Sequence, residues 1–258
     1  MIVSRLFIAF WCAGHLRHPF AQECNTGYIV PMKREERELA VRVLAHAEWM
    51  QGFAPVLAEA LLAHGRLVRI RPGEWAQGEG DEDRGLFVVI DGVFHTYCTA
   101  SGDRDVMIGV AGMGAVLGHA TRFSGGPRLV TAICTEPGLL LQIPETALER
   151  IAERRPEIWR VIASSAYANL RRAMQMMVEA ITLAPRQRIA ARLIASAEPV
   201  DGSPAMVRLS QQALGEMTGL TRKTVNLHLA AFEREGLVSL RYGYLLLRDP
   251  GGLRRAAV

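Results

Sequence analysis

The sequence predicts an α+β chain in three parts: an N-terminal jelly-roll β-barrel, a long helix and a C-terminal winged helix-turn-helix. Three observations carry this prediction. Between Gly65 and Ile143, short β-rich runs alternate with glycine-containing turns. From Pro156 to Pro185 no helix breaker interrupts the chain, and small or apolar side chains recur at spacings of four and three. From Leu209 to Leu237 two short amphipathic segments flank a glycine, and a β-hairpin pattern follows.

Composition sets the bounds. With 258 residues, 50% of them hydrophobic, the chain can bury a large core or two and is not of the disordered class. Cys12, Cys24, Cys98 and Cys134 lie far apart without a CxxC pair, which predicts neither a disulfide framework nor a zinc site and fits a reduced compartment. No apolar run reaches the length of a membrane span. The histidines accompany no nucleophile elbow, no HExxH and no GxxxxGKS loop, so an enzyme is not expected.

Met1 to Pro31 supports three readings. Arg5 and the apolar run from Leu6 to Gly14 have the outline of a short signal peptide, yet His15, Arg17 and His18 follow without a small-residue cleavage site. A start codon placed too early, ahead of Met32-Lys33, is the second reading, and an added apolar arm is the third.

From Lys33 the chain is charged and then amphipathic, and Phe53 to Leu62 continues as a second short helix. Strands are expected at Leu67–Ile70, Leu86–Ile90, Val93–Cys98, Val106–Ile108, Leu129–Ile133 and Leu139–Ile143, with turns at Gly80-Asp81, Asp91-Gly92 and Ser101-Gly102-Asp103. Pro144 is expected to end the barrel.

Pro156 then opens a helix that Pro185 closes, roughly 40 Å long at 1.5 Å per residue. The heptad alternation selects Trp159, Ala163, Ala166, Leu170, Ala173, Met177, Ala180 and Ala184, which predicts the seam of a parallel homodimer with closely approaching helices. The alternative is that this stripe packs on the chain's own barrel. A second apolar set, Met174, Val178 and Ile181, is expected to meet the barrel while the seam meets the partner.

In the C-terminal part Ala213, Leu214 and Met217 recur at helical spacing, with Ser210 as the expected N-cap and Gly219 ending the helix. Thr221 is placed to cap a second helix, whose apolar stripe is read as Val225, Leu227, Leu229 and Phe232. Opposite that stripe stand Arg222, Lys223, Thr224 and Asn226, donors suited to phosphates and base edges. Leu237–Leu240 and Tyr244–Leu247 flank Arg241-Tyr242-Gly243 as a wing with a basic tip. From Arg208 onward eight basic residues face four acidic ones, so the whole chain's net charge of +4 sits in this last fifth. Such localised charge is the footprint of a duplex-binding module. An ordinary helical hairpin with a solvated charged face is the competing reading. In the binding reading, Arg222 pairs with guanine O6 and N7, Asn226 with adenine N6 and N7, and Lys223 with guanine or a phosphate. Thr221 and Thr224 are caps or phosphate contacts, Ser210 caps and touches the backbone, and Arg241 meets the backbone from the wing.

Barrel, long helix and winged helix-turn-helix, in that order, resemble the Crp/Fnr transcription regulators. The resemblance covers Glu48 to Arg255 and rests most on Gly219-Leu-Thr-Arg-Lys-Thr-Val225 and on Gln187-Arg-Ile-Ala190, with Gly80-Asp81 and Asp91-Gly92 as barrel turns. Residues 1–31 lie outside it. It implies a cyclic-nucleotide-binding-like sensor over 32–155, a dimerisation helix over 156–184 and a DNA-binding domain over 185–258. It also implies a cytoplasmic homodimer on double-stranded DNA with an inverted-repeat site, with RNA polymerase as a further partner for an activator, and no membrane.

The effector position departs from the family's pattern. Cyclic-nucleotide members carry Phe-Gly-Glu and then an Arg-Ser or Arg-Thr pair. This chain has Leu117-Gly118-His119 and Pro127-Arg128-Leu129, and it offers Ala173 and Met174 where those members place hydroxyls against the purine. The pocket candidates are therefore Arg128, His119, Gly118 and Leu129, and an effector other than cyclic AMP is expected, of unknown identity. A solvated or structurally paired Arg128 is equally compatible with one retained arginine. A haem would have only His95, Cys98 and His119 as axial candidates, and the cysteine spacing does not suit an iron–sulfur cluster, so no metal or cofactor is expected. The alternatives are a cyclic-nucleotide- or haem-responsive sensor of the same layout, or a signalling module that has lost DNA binding.

Overall fold

The computed structural model describes residues 28–82, 85–119, 125–200 and 203–258. The readings of Arg5 to His18, and of Cys12 and Cys24, lie outside the described residues.

Two antiparallel sheets face each other in the N-terminal part. One has the order β1 (Tyr28–Val30), β2 (Arg66–Ile70), β9 (Gly138–Ile143), β4 (Leu86–Asp91), β7 (Val116–Leu117). The other has the order β3 (Trp75–Gln77), β8 (Thr131–Cys134), β5 (Phe94–Ala100), β6 (Arg104–Ala111). β4 and β9 are apolar at nearly every position because both of their faces are covered. Successive side chains point to opposite faces. Leu86, Val88, Ile90, Leu139, Leu141 and Ile143 thus meet the helices, while Phe87, Val89 and Leu140 join Phe94, Ala132 and Cys134 between the sheets. Each fully buried large side chain among them contributes about 1.5–3 kcal/mol.

The covering helices are α1 (Arg34–His46), a single 3-10 turn (Glu48–Met50), α2 (Ala54–His64) and α3 (Glu145–Arg154). α1 turns Ala40 and Leu44, four apart, into this core. Pro144 ends the barrel as expected and also stands at the N-cap of α3, a helix the sequence pattern did not reveal. The turn expected at Asp91-Gly92 requires its glycine. Gly92 has φ +88°, and a Cβ there would lie 2.7 Å from the Gly138 Cα.

α4 (Glu157–Thr182) has 26 residues, about 39 Å of helix. It ends at Thr182, and Pro185 does not close it. Pro185 instead opens α5 (Pro185–Ala195), a first-turn position where the missing N–H costs nothing. The corner is pinned by Arg188, which donates to the carbonyls of Thr218 (2.7 Å) and Leu183 (3.3 Å), and by a largely buried ion pair between Glu179 and Arg192.

The first half of α4 buries Ile158, Val161, Ile162 and Ser165 against the chain's own sensor core, and Trp159 packs partly against it. The second half is uncovered. Leu170 is 58% exposed and Ile181 77%, with Met174, Met177 and Val178 between them. The expectation that Met174, Val178 and Ile181 meet the barrel is corrected accordingly: Ser165 is the last α4 residue buried, and it precedes Leu170. Ala163, Ala173 and Ala180 are exposed and Ala166 is half-buried.

The C-terminal part has a four-stranded sheet of order β10 (Glu198–Val200), β11 (Ser203–Val207), β13 (Tyr244–Leu247), β12 (Val238–Arg241). α5, α6 (Gln211–Thr218), α7 (Arg222–Arg234) and α8 (Pro250–Ala256) close over it, around Ile189, Leu193, Leu214, Phe232, Leu245 and Leu253. One member of this cluster comes from elsewhere. Met107 of β6 is buried in it, and its backbone N–H donates to Glu216 Oε2 at 3.2 Å.

Candidate nucleic-acid interface

The local chemistry of the α6–α7 turn matches its sequence. Ser210 Oγ accepts from the Ala213 N–H (3.0 Å) and so caps α6, and Gly219 ends that helix at φ +66°. Thr221 Oγ1 accepts from the Thr224 N–H (3.1 Å) and so caps α7, with the Thr224 hydroxyl 2.9 Å away. Gly215 lets the turn close, because a Cβ there would lie 2.7 Å from the Leu220 carbonyl oxygen.

α7 buries Val225, Leu229 and Phe232. Leu227, read from the sequence as part of this stripe, is instead 65% exposed. At 100° per residue it stands about 200° from Val225, on the opposite face. There it neighbours Lys223, four residues earlier, while Asn226 stands about 100° and Arg222 about 60° from Val225 at the flank of the buried stripe; all are exposed. Among the described residues, no hydrogen bond or ion pair engages the side chains of Arg222, Lys223 or Asn226. Beside this face β12 and β13 form the wing, with Tyr242 fully exposed at its tip and Gly243 at φ +82°. Arg241 is exposed, one Nη donating to the Leu240 carbonyl (3.2 Å). Arg208 belongs elsewhere: it pairs with Glu136 of the barrel (2.6 Å) and with Glu198 (3.5 Å). One of the eight basic residues counted in the charge footprint therefore holds the two halves together.

The sensor residues form a second cluster. Arg128 is only 2% exposed and donates to the Gly85 carbonyl (2.8 Å), with its guanidinium 5.7 Å from the Phe87 ring centroid. It is a structurally paired arginine, not a solvated one. Its backbone N–H donates to the Asp81 carbonyl (2.8 Å) and its carbonyl accepts from the Gly80 N–H (2.9 Å), so the Gly80-Asp81 turn holds it in place. Gly118, at φ +83°, lies directly beside the guanidinium. His119 Nε2 and Asn169 Nδ2 of α4 form a hydrogen-bonded pair at 3.2 Å. Burial pushes the His119 imidazole below its ordinary value, and the charges of Arg128 and Arg172 push the same way, against the Val116 backbone hydrogen bond. The charged form of His119 is thus disfavoured in this setting. Leu129 is half exposed, and Ala173 and Met174 are exposed, so none of the three is enclosed with Arg128. The α4 residue that reaches the pocket is Asn169, which sequence reasoning missed; its polar side chain one turn before Ala173 was the available signal.

The three haem candidates diverge. His95 lines a crevice of about 220 Å³ with Glu136, Arg208 and Tyr244, whereas Cys98 donates to the Leu129 carbonyl (3.5 Å) and His119 is bonded to Asn169. The buried Cys134 thiol is pushed up to about 11 by desolvation, which leaves it unreactive. Among the described residues no three His, Cys, Asp or Glu side chains gather as a metal site, and no helix is long and apolar enough to cross a membrane.

Comparison with known proteins bears on both halves. The family model for the cyclic nucleotide-binding domain matches residues 67–155, and that for the Crp-like helix-turn-helix domain matches residues 187–256. A CRP-like cAMP-activated global transcriptional regulator of Mycobacterium tuberculosis is 26% identical over 220 residues, covering 83% of this chain and 98% of that protein. The nitrogen fixation regulation protein FixK of Bradyrhizobium diazoefficiens is 26% identical over 204 residues, covering 75% of this chain and 82% of that one. The chain belongs to the Crp/Fnr family of transcription regulators. Among solved structures, FixK2 from Bradyrhizobium japonicum superposes with a TM-score of 0.66 at 21% identity, covering 75% of this chain and 98% of that one, a likeness of fold. As a Crp/Fnr regulator the chain is a DNA-binding protein, with the exposed, unengaged face of α7 as its candidate reader.

Proposed function

We propose that this Crp/Fnr regulator is a cytoplasmic homodimer that reads an inverted-repeat DNA site through Arg222, Lys223 and Asn226 and responds to an effector other than cyclic AMP. The observation that carries the DNA reading is the division of α7 into two faces. Val225, Leu229 and Phe232 anchor it, and three donor-bearing side chains outside that buried stripe stand exposed, with no side-chain hydrogen bond or ion pair among the described residues. In this reading Thr221, Thr224 and Ser210 are caps that meet the phosphate backbone, and Arg241 contacts it from the wing. Residues 32–155 are the sensor domain, 156–184 the dimerisation helix, with Trp159, Ala163, Ala166, Leu170, Ala173, Met177 and Ala180 along its seam, and 185–258 the DNA-binding domain. RNA polymerase is a further partner if the regulator activates.

Selection from random duplexes tests the reading. The wild type is expected to enrich an inverted repeat with half-sites about one helical turn apart. Arg222→Ala is expected to lower specific affinity by about 1–3 kcal/mol and relax one base pair per half-site. Arg241→Ala should weaken all sequences nearly equally and reduce the salt slope by about 1. An unchanged motif and affinity in Arg222→Ala would remove α7 as the reader.

The effector statement rests on His119 and Arg128. His119 Nε2 is hydrogen-bonded to Asn169, and Arg128 is held at Gly85, so the ribose and phosphate partners used by cyclic-nucleotide members are replaced or occupied. Calorimetry is expected to give no micromolar binding of cyclic AMP; a micromolar isotherm would reverse this part of the reading.

A further inference from the structure

Leu227 stands out among the exposed side chains of α7. It is apolar, 65% exposed, and set one turn after Lys223 on a surface that Lys223 and Asn226 also line. The other large apolar side chains of this helix are buried at Val225, Leu229 and Phe232. The exposed leucine is also not isolated. Lys223, Thr224, Asn226, Leu227, Ala230 and Leu240 line one continuous surface, so an apolar strip from Leu227 through Ala230 to Leu240 runs beside the polar reading edge and toward the wing.

We infer that Leu227 is a specificity-determining residue that packs against the C5-methyl group of a thymine in the major groove. This inference rests on the proposed DNA reading. Its occupant follows from the surroundings: Lys223 borders the strip and Arg222 stands exposed one residue before it, neither in an ion pair among the described residues, which fits a duplex, and the thymine methyl is the one apolar group a base pair presents in the major groove. A leucine has neither donor nor acceptor, so guanine and cytosine edges would be left unpaired beside it. Leu227 lies five residues along α7 from Arg222, about 7.5 Å at 1.5 Å per residue. With a base-pair spacing of 3.4 Å, its thymine is expected about two base pairs from the base Arg222 reads.

The test removes one methyl group and nothing else. In the duplex enriched by the wild type, each thymine is replaced singly by deoxyuridine, and affinities of the full-length wild type and Leu227→Ala are measured at one salt concentration. For the wild type, one position per half-site is expected to lose about fourfold in affinity, the weight of one buried methyl group, and about fifteenfold when both half-sites are replaced. Leu227→Ala is expected to bind the thymine and uracil duplexes equally, while its melting temperature stays unchanged. Wild-type binding that ignores every single replacement overturns the inference and leaves the proposed function standing. A uracil penalty that persists undiminished in Leu227→Ala also overturns it. A wild type that enriches no sequence overturns both.

Discussion

Leu170→Glu is expected to turn the dimer into a monomer at micromolar concentration. In the protomer this side chain is 58% exposed on a stretch of α4 beyond its last contact with the sensor core, so the substitution leaves the protomer's own packing intact. In the proposed dimer it lies at the seam, and each protomer then brings a carboxylate into an apolar interface. An uncompensated buried charge costs about 3–5 kcal/mol, so the dissociation constant is expected to rise by about a hundredfold or more, and affinity for an inverted repeat should fall towards that of a half-site. Sedimentation of both proteins decides the matter. A wild type that sediments as a monomer at that concentration, or a Leu170→Glu protein that remains a dimer, removes the seam.

Gly118→Ala is expected to lower the melting temperature by about 6–12 °C. The Cβ it adds would lie 1.4 Å from Arg128 Nη1, 2.6 Å from its Cζ and 2.8 Å from the Gly85 carbonyl oxygen. Arg128 therefore has to leave its buried position, abandoning the hydrogen bond to Gly85, at about 1–3 kcal/mol for the acceptor left behind. The left-handed backbone at φ +83° adds about 1–2 kcal/mol for any residue with a Cβ. Together these come to about 3 kcal/mol, and each kcal/mol moves the midpoint of a chain this size by roughly 2–4 °C. Gly102→Ala is the matched control, with φ +82° and nothing within 4 Å of the added Cβ, so it bears the backbone term alone. Equal melting temperatures for the two variants would show that Arg128 is not displaced.

The parts legible in the sequence are those encoded locally. Ser210, Gly219 and Thr221 announced the two helices because a cap acts on residues three positions away. The glycines at 80, 92 and 102 announced turns because glycine enters the left-handed backbone without the steric cost a Cβ carries. β1, β3 and β7 escaped notice because two or three residues cannot display an alternation. α3 was hidden behind Pro144, which reads as a terminator of the preceding strand as readily as the start of a helix. Leu227 was misplaced by its type: a leucine near a stripe was read into it, although its angle sets it opposite. The sensor site was least legible. Asn169 and His119 are 50 residues apart, and the one hint of their contact was a polar side chain on α4 one turn before Ala173.

The burial of Met107 among the core residues of the winged helix bears on how such chains can be divided and recombined. A methionine from the sensor's sheet fills space that the C-terminal part does not fill itself. Cutting the chain at the start of α5 would leave an apolar notch open to water, at a cost of about 2 kcal/mol. The ion pair from Arg208 to Glu136 would be lost with it. The reader is therefore not a self-contained cartridge. A sensor transplanted from a relative has to bring a β6 side chain that fits this notch, and the piece that can be exchanged intact is sensor and reader together.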